Sequence, residues 1–224
     1  MEKGEYIFRA VNPRSDEDIQ KYIDLKSDLD SFLKIKTTKK KDENFINWQR
    51  WHLGAPEYVF PEDYKNKPLG DVEKLADEFV FICESKGDAV GYIQVANYHL
   101  INGKRPDDDI GIIGEIYLKP EHRKTDLSLQ LLKLGVKRLI QCDKFKAFCN
   151  VQEDNKNRYL HFAMADGNIV HEDKCKRKDG STTIDYTLMI DLKKLNEDLE
   201  NGRFTRRIGK YHREMMKKEE GLNV

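Results

Sequence analysis

The residues with the clearest chemical potential fall in one short run, GEIYLKPEHRKTDLSLQLLK, residues 114 to 133. It opens with a carboxylate, Glu115, in a β-branched and aromatic stretch, where alternation puts Glu115 on one face with Ile113 and Tyr117. A proline, Pro120, then ends the strand, and Arg123 and Lys124 form a basic turn before a leucine-rich helix. A strand that passes through such a turn into a helix brings free backbone N–H groups and a positive helix end to one spot. Such a spot binds phosphate. Thr125, Asp126 and Ser128 are also plain helix caps, and Asp126 opposes a bound anion unless its side chain turns away. Glu115 is equally readable as an ordinary strand carboxylate with an ion-pair partner.

The elements that must position this run can be read from periodicity. EYIFRAV, residues 5 to 11, reads as a first strand. Ser15 then caps a helix whose first turn carries Asp16, Glu17 and Asp18, and Ile19, Tyr22, Ile23, Leu29, Phe32 and Leu33 recur at helical spacing. Phe45, Ile46, Trp48 and Trp51 mark a second helix that ends before GAPEYVFP; its tryptophans either anchor it or line a pocket. EFVFICES and AVGYIQVANYHL, separated by KGD, form a hairpin, and IGIIGEIYL adds a third strand to an antiparallel meander. The period then becomes helical through Leu129, Leu132, Val136, Leu139 and Ile140. FKAFCNVQ returns to strand, NKNRYLHFAMAD to helix, and GNIVHEDKCKRKDGSTTIDYTLMIDL to a hairpin turning at KDGS. From Lys193 the tail is helical, broken at Gly202 and strongly basic beyond it.

Composition narrows the function classes. In 224 residues, 40 Lys and Arg balance 40 Asp and Glu, so no global field draws the protein to a polyanion, and any nucleic-acid contact must be local to the basic tail. No run approaches the roughly 18 apolar residues of a membrane span, and MEKGEYIFRA is not a signal peptide, so a cytoplasmic protein without membrane contact is expected. The four cysteines lack the paired spacing of a zinc site, and Cys149 in KAFCNV reads as a packing residue. The six histidines show no ligand spacing either, so no metal is expected.

The element order, and the join of a Glu-bearing strand to Pro, Arg and a leucine-rich helix, resembles the GNAT superfamily of acetyl-CoA-dependent N-acetyltransferases over about residues 5 to 190. In that family the turn reads Arg or Gln, two residues, Gly, one residue, Gly or Ala. Here it is RKTDLS: Arg123 fits, while Asp126 and Ser128 stand at the small positions, as in a divergent member. The resemblance implies a mixed α/β (α+β) fold with a mostly antiparallel central sheet flanked by helices. A domain over 1–192 and a basic helical extension over 193–224 are expected.

The same resemblance implies the site. Glu115 would be the general base, and backbone groups of Tyr117 and Leu118 would hold the pantetheine arm of acetyl-CoA. The amides of Lys124, Thr125, Asp126, Leu127 and Ser128, beside Arg123, would hold its pyrophosphate. Asn155 would contact the pantetheine arm, although an N-cap role fits equally. The family's late-helix tyrosine is missing from HFAMADG, which leaves Tyr159, one turn earlier, as candidate acid. The first helices and their loop, including NWQRWHLGAPEYVFPEDY, would wall the acceptor side. The implied activity is acetyl transfer from acetyl-CoA, as co-substrate, to a primary amine of a small molecule, peptide or protein by direct attack. The alternative is an inactive GNAT-fold binding module, of phage or mobile-element type, using its basic tail. A homodimer is one option for the assembly.

Overall fold

The computed structural model describes residues 5–32, 43–55, 58, 78–97, 109–123, 126–152, 167–176 and 182–203. Among the described residues, seven strands pair in the order β1-β2-β3-β4-β5-β7-β6. These are β1 (Tyr6–Ala10), β2 (Glu78–Ser85), β3 (Asp88–Ala96), β4 (Ile110–Leu118), β5 (Lys146–Gln152), β6 (Asn168–Lys176) and β7 (Thr182–Asp191). The helices described are α1 (Asp16–Phe32), α2 (Glu43–His52), α3 (Leu127–Gln141) and α4 (Leu192–Glu200). The fold is mixed α/β with a mostly antiparallel sheet, as expected. None of the described helices is long and apolar enough to cross a membrane. The expected helix over 155–166, the KDGS turn and the basic run beyond Arg203 lie outside the described residues.

The chain falls into two compact units, Met1–Tyr98 with Gly114–Arg138, and His99–Ile113 with Leu139–Val224. In the first unit, β1 and β2 pair antiparallel from Tyr6↔Ser85 to Ala10↔Phe81. β2 and β3 form the expected hairpin. Its turn is Lys86-Gly87, with φ of 54° and 88°, the left-handed pair that matches the twist of the flanking strands. Lys119 N–H donates to the Val90 carbonyl at 2.9 Å, and a Cβ on Gly91 would stand 2.7 Å from the Tyr117 carbonyl oxygen, so β3 and β4 run closely side by side at this end.

Strand alternation gives the sheet of this unit two apolar faces. Val80, Ile82, Ala89 and Tyr92 join Ile19, Tyr22, Ile23 and Leu25 of α1 in one buried cluster that also includes Val11 and Tyr117. On the other face Gly135 of α3 lies against Ile93 and Val95, so close that a Cβ would stand 2.7 Å from each side chain. The Arg138 guanidinium stacks 4.0 Å above the Phe79 ring. α1 starts as its sequence predicts, with Ser15 Oγ accepting from Asp18 N–H at 3.3 Å. α2 buries Trp51 and leaves Trp48 exposed, and its buried Arg50 reaches Asp16 and donates to the Pro13 carbonyl at 3.0 Å.

In the second unit, β4 and β5 pair in parallel from Ile110↔Lys146 to Ile112↔Phe148, because α3 intervenes in the chain between them. β7 then pairs antiparallel with both β5 and β6. Ala147, Cys149, Val151, Leu188, Ile190, Leu192 and Leu195 are buried. Cys149 is thus a packing residue, and burial pushes its thiol up to about 12. α4 is capped by Asp191, whose Oδ1 accepts from Lys194 N–H at 2.9 Å.

Candidate active site

Glu115 sits in the second half of β4, between the exposed Gly114 and the buried Tyr117. Its carboxylate is fixed by two donors on the same oxygen. Tyr92 Oη, from the middle of β3, donates to Oε2 at 2.7 Å, and Lys26 Nζ, from α1, lies 2.6 Å from that atom. The other oxygen, Oε1, has no partner among the described residues. The side chain is 37% exposed, so one carboxylate oxygen is held from inside while the group as a whole still meets solvent.

A tyrosine cluster backs this carboxylate. Tyr22 meets Tyr92 edge to face with centroids 5.5 Å apart, and Tyr92 lies 6.2 Å from Tyr117. Burial pushes the phenols of Tyr22 and Tyr92 well above their ordinary value, so Tyr92 remains a neutral O–H donor at any working pH. Burial, followed by the nearby Asp28 charge, also raises Tyr117. The Tyr22 hydroxyl is buried with no hydrogen-bond partner among the described residues.

The strand's end is closed by the turn that follows it. Pro120–His122 is one turn of 3₁₀ helix, and Arg123 caps it with its N–H on the Pro120 carbonyl at 3.3 Å. The Arg123 side chain folds back: its Nε donates to the Leu118 carbonyl at 2.9 Å and its guanidinium lies 5.6 Å from the Tyr117 ring centroid. His122 is also tied down, with Nδ1 3.2 Å from Tyr6 Oη. Arg123 therefore braces the β4 terminus at Tyr117 and Leu118 and remains exposed.

Asp126 stands at the start of α3, and its carbonyl accepts from Leu129 and Gln130 N–H at 3.0 and 3.1 Å. Its carboxylate does not bond the first-turn amides. It accepts instead from Gln130 Nε2 at 3.0 Å, one turn along the helix. The side chain at this non-glycine position thus does turn away, and Leu127 anchors the first turn in the core beside a half-exposed Ser128.

Of the residues singled out in the sequence, Glu115, Tyr117, Leu118, Arg123, Asp126, Leu127 and Ser128 all lie in the first unit. Lys124, Thr125, Asn155 and Tyr159 lie outside the described residues. Sequence reasoning missed Lys26 and Tyr92, the two groups that hold Glu115. Lys26 had a signal: a charged residue on the stripe that runs through Ile19, Tyr22 and Leu29. Among the described residues no three His, Cys, Asp or Glu side chains are grouped to hold a metal ion.

The sequence model of the acetyltransferase (GNAT) family matches residues 44–162, just over half of the chain. The chain belongs to the GNAT acetyltransferase family. Solved structures share the fold. The Salmonella typhimurium protein yncA, determined with its cofactor acetyl-CoA, superposes with a TM-score of 0.57 at 14% identity, covering 84% of this chain and 94% of that one. An N-acetyltransferase from Staphylococcus aureus Mu50 gives 0.53 at 12% identity, covering 84% and 99%. The NatC complex bound to Gag peptide and CoA gives 0.51 at 12% identity, covering 84% and 98%. No curated protein matches the chain.

The co-substrate of a GNAT acetyltransferase is acetyl-CoA. At the turn where the phosphates are expected from the sequence, the Asp126 carboxylate is engaged by Gln130 and Arg123 is exposed.

Proposed function

We propose that this protein is an N-acetyltransferase that moves the acetyl group of acetyl-CoA to a primary amine by direct attack. The observation that carries the reading is the Glu115 carboxylate, half-buried, held through Oε2 by the neutral Tyr92 phenol and the Lys26 ammonium, with Oε1 free of described partners. An amine at neutral pH is an ammonium, and it must lose a proton before its lone pair can form the amide bond. Glu115 would take that proton. Arg123 and the amides from Lys124 to Ser128 would bind the pyrophosphate, backbone groups of Tyr117 and Leu118 together with Asn155 would hold the pantetheine arm, and Tyr159 would return a proton to the departing thiolate.

The acceptor class stays broad: an amine of a small molecule, a peptide or a protein. The fold likeness to a complex solved with a peptide supports the larger acceptors without selecting one.

The test separates binding from chemistry. A co-substrate at about a hundred times its Kd stabilises the folded state by about 2.7 kcal/mol, and so raises the Tm of a chain this size by about 5–10 °C. The double variant Arg123→Glu, Lys124→Glu should lose that shift. Glu115→Gln should keep it and lose turnover by about 10²–10⁴-fold, the usual contribution of a positioned base. No shift at millimolar acetyl-CoA would end the enzyme reading in favour of a binding module.

A further inference from the structure

We propose that Lys26 is itself an acetyl acceptor, a modification site whose state sets how Glu115 is held. The inference rests on the function proposed above and extends it to the enzyme's own chain. Its ground is geometric: a primary ammonium 2.6 Å from Glu115 Oε2 already has the contact an acceptor amine needs before it gives up a proton. The amine is not a mobile surface group. Lys26 is only 22% exposed and projects from the stripe of α1 whose Tyr22 and Leu29 pack on the core. α1 is itself fixed at its start, where Asp18 binds Arg9 of β1. Holding a reactant in place removes the entropy loss of bringing it there.

The step balances with acetyl-CoA as the only co-reactant. Lys26 Nζ gives a proton to Glu115, and its lone pair forms the C–N bond. The C–S bond breaks, and the second proton, which the acylated nitrogen must shed, passes to the thiolate, which leaves as CoA. Glu115 then returns its own proton to solvent. The product is a neutral amide at Lys26, which can no longer form an ion pair with a carboxylate. Glu115 then keeps its hydrogen bond from Tyr92 but has no counter-charge from Lys26, so an ammonium from outside meets no internal competitor.

The experiment incubates the full chain with acetyl-CoA and no added acceptor, and follows acetyl occupancy by intact mass and peptide mapping. Lys26 should acquire one acetyl group at least about a hundredfold faster than surface lysines, the low end of what a positioned base supplies. The rate constant should not change with protein concentration, as an intramolecular step requires. Glu115→Gln and Glu115→Ala should bring Lys26 down to the background of the other lysines. Lys26→Arg should leave that peptide unmodified.

Lys26 acetylated only at background rate, in a preparation that shows the acetyl-CoA thermal shift, would overturn the inference and leave the proposed function standing. A rate constant that rises in proportion to protein concentration would overturn it too, because the transfer would then run between molecules. Absence of the thermal shift together with background acetylation would remove the function reading and this inference with it.

Discussion

Replacing Arg9 with methionine removes the cation on which β1, α1 and β2 converge. Its guanidinium donates to Asp18 at 2.6 and 2.7 Å and to Glu84 at 2.9 and 3.0 Å, and both carboxylate residues are buried. A buried ion left without its partner costs about 3–5 kcal/mol. Two features reduce that figure here. Asp18 still accepts from Asn12 N–H at 2.8 Å and Glu84 keeps Lys21 at 2.8 Å. The Arg9 side chain is also 33% exposed, so solvent already screens part of the pair. We therefore expect a loss of about 2–3 kcal/mol, or roughly 5–10 °C in Tm for a chain of this length. The pH dependence has a definite sign. Arg9 holds both carboxylates below their ordinary values of 3.8 and 4.5, so the unfolded chain binds more protons through the acid range. Their stabilisation is complete above those values and disappears as pH falls through the lowered ones. Urea melts of both proteins at about pH 7 and about pH 3 should show a gap that narrows in acid. A gap of equal size at both, or one below about 0.5 kcal/mol at neutral pH, would refute the assignment of this network as the tie between the three elements.

Other consequences can be checked singly. Gly135→Val should destabilise by about 2–3 kcal/mol in urea unfolding, because a Cβ there meets Ile93 and Val95 at 2.7 Å and the two γ-methyls add to the overpacking; Gly135→Ala should lose less, since it brings the Cβ alone and helix propensity returns about 1 kcal/mol. Tyr92→Phe should lose about 1 kcal/mol of stability and lower turnover several-fold with little change in acetyl-CoA binding, because only the hydrogen bond to Glu115 goes. Burial raises Cys83 to about 11 and Cys149 to about 12, so both thiols should resist a thiol reagent in the native protein and react in denaturant; prompt labelling of either in the folded state would contradict their packing.

Local pattern carried most of the elements. β2 is the run EFVFICES and β4 the run IGIIGEIYL, because alternation and β-branching act within a strand. Lys86-Gly87 turned the hairpin because glycine takes positive φ freely. Pairing between distant strands has no such local signal. Nothing in KAFCNVQ or TTIDYTLMID indicates that β7 lies between β5 and β6, or that β5 runs parallel to β4. Those choices depend on which apolar faces must be covered once α3 is in place.

The site divides along the same line. Glu115 and Arg123 could be nominated together because they share one short segment, whereas Lys26 meets Glu115 across 89 positions of sequence. That distant contact bears on acceptor choice. An ammonium approaching Oε1 while Lys26 holds Oε2 would put two cations about 5–6 Å apart, a repulsion of about 3 kcal/mol at an effective dielectric of about 20. On the proposed mechanism the unmodified enzyme should then favour amines already neutral at the working pH, and the Lys26→Gln variant, like the acetylated protein, should gain most with strongly basic amines. A series of acceptors graded in basicity measures this directly. If kcat/KM depends on amine basicity with the same slope in both proteins, Lys26 exerts no charge control over the acceptor.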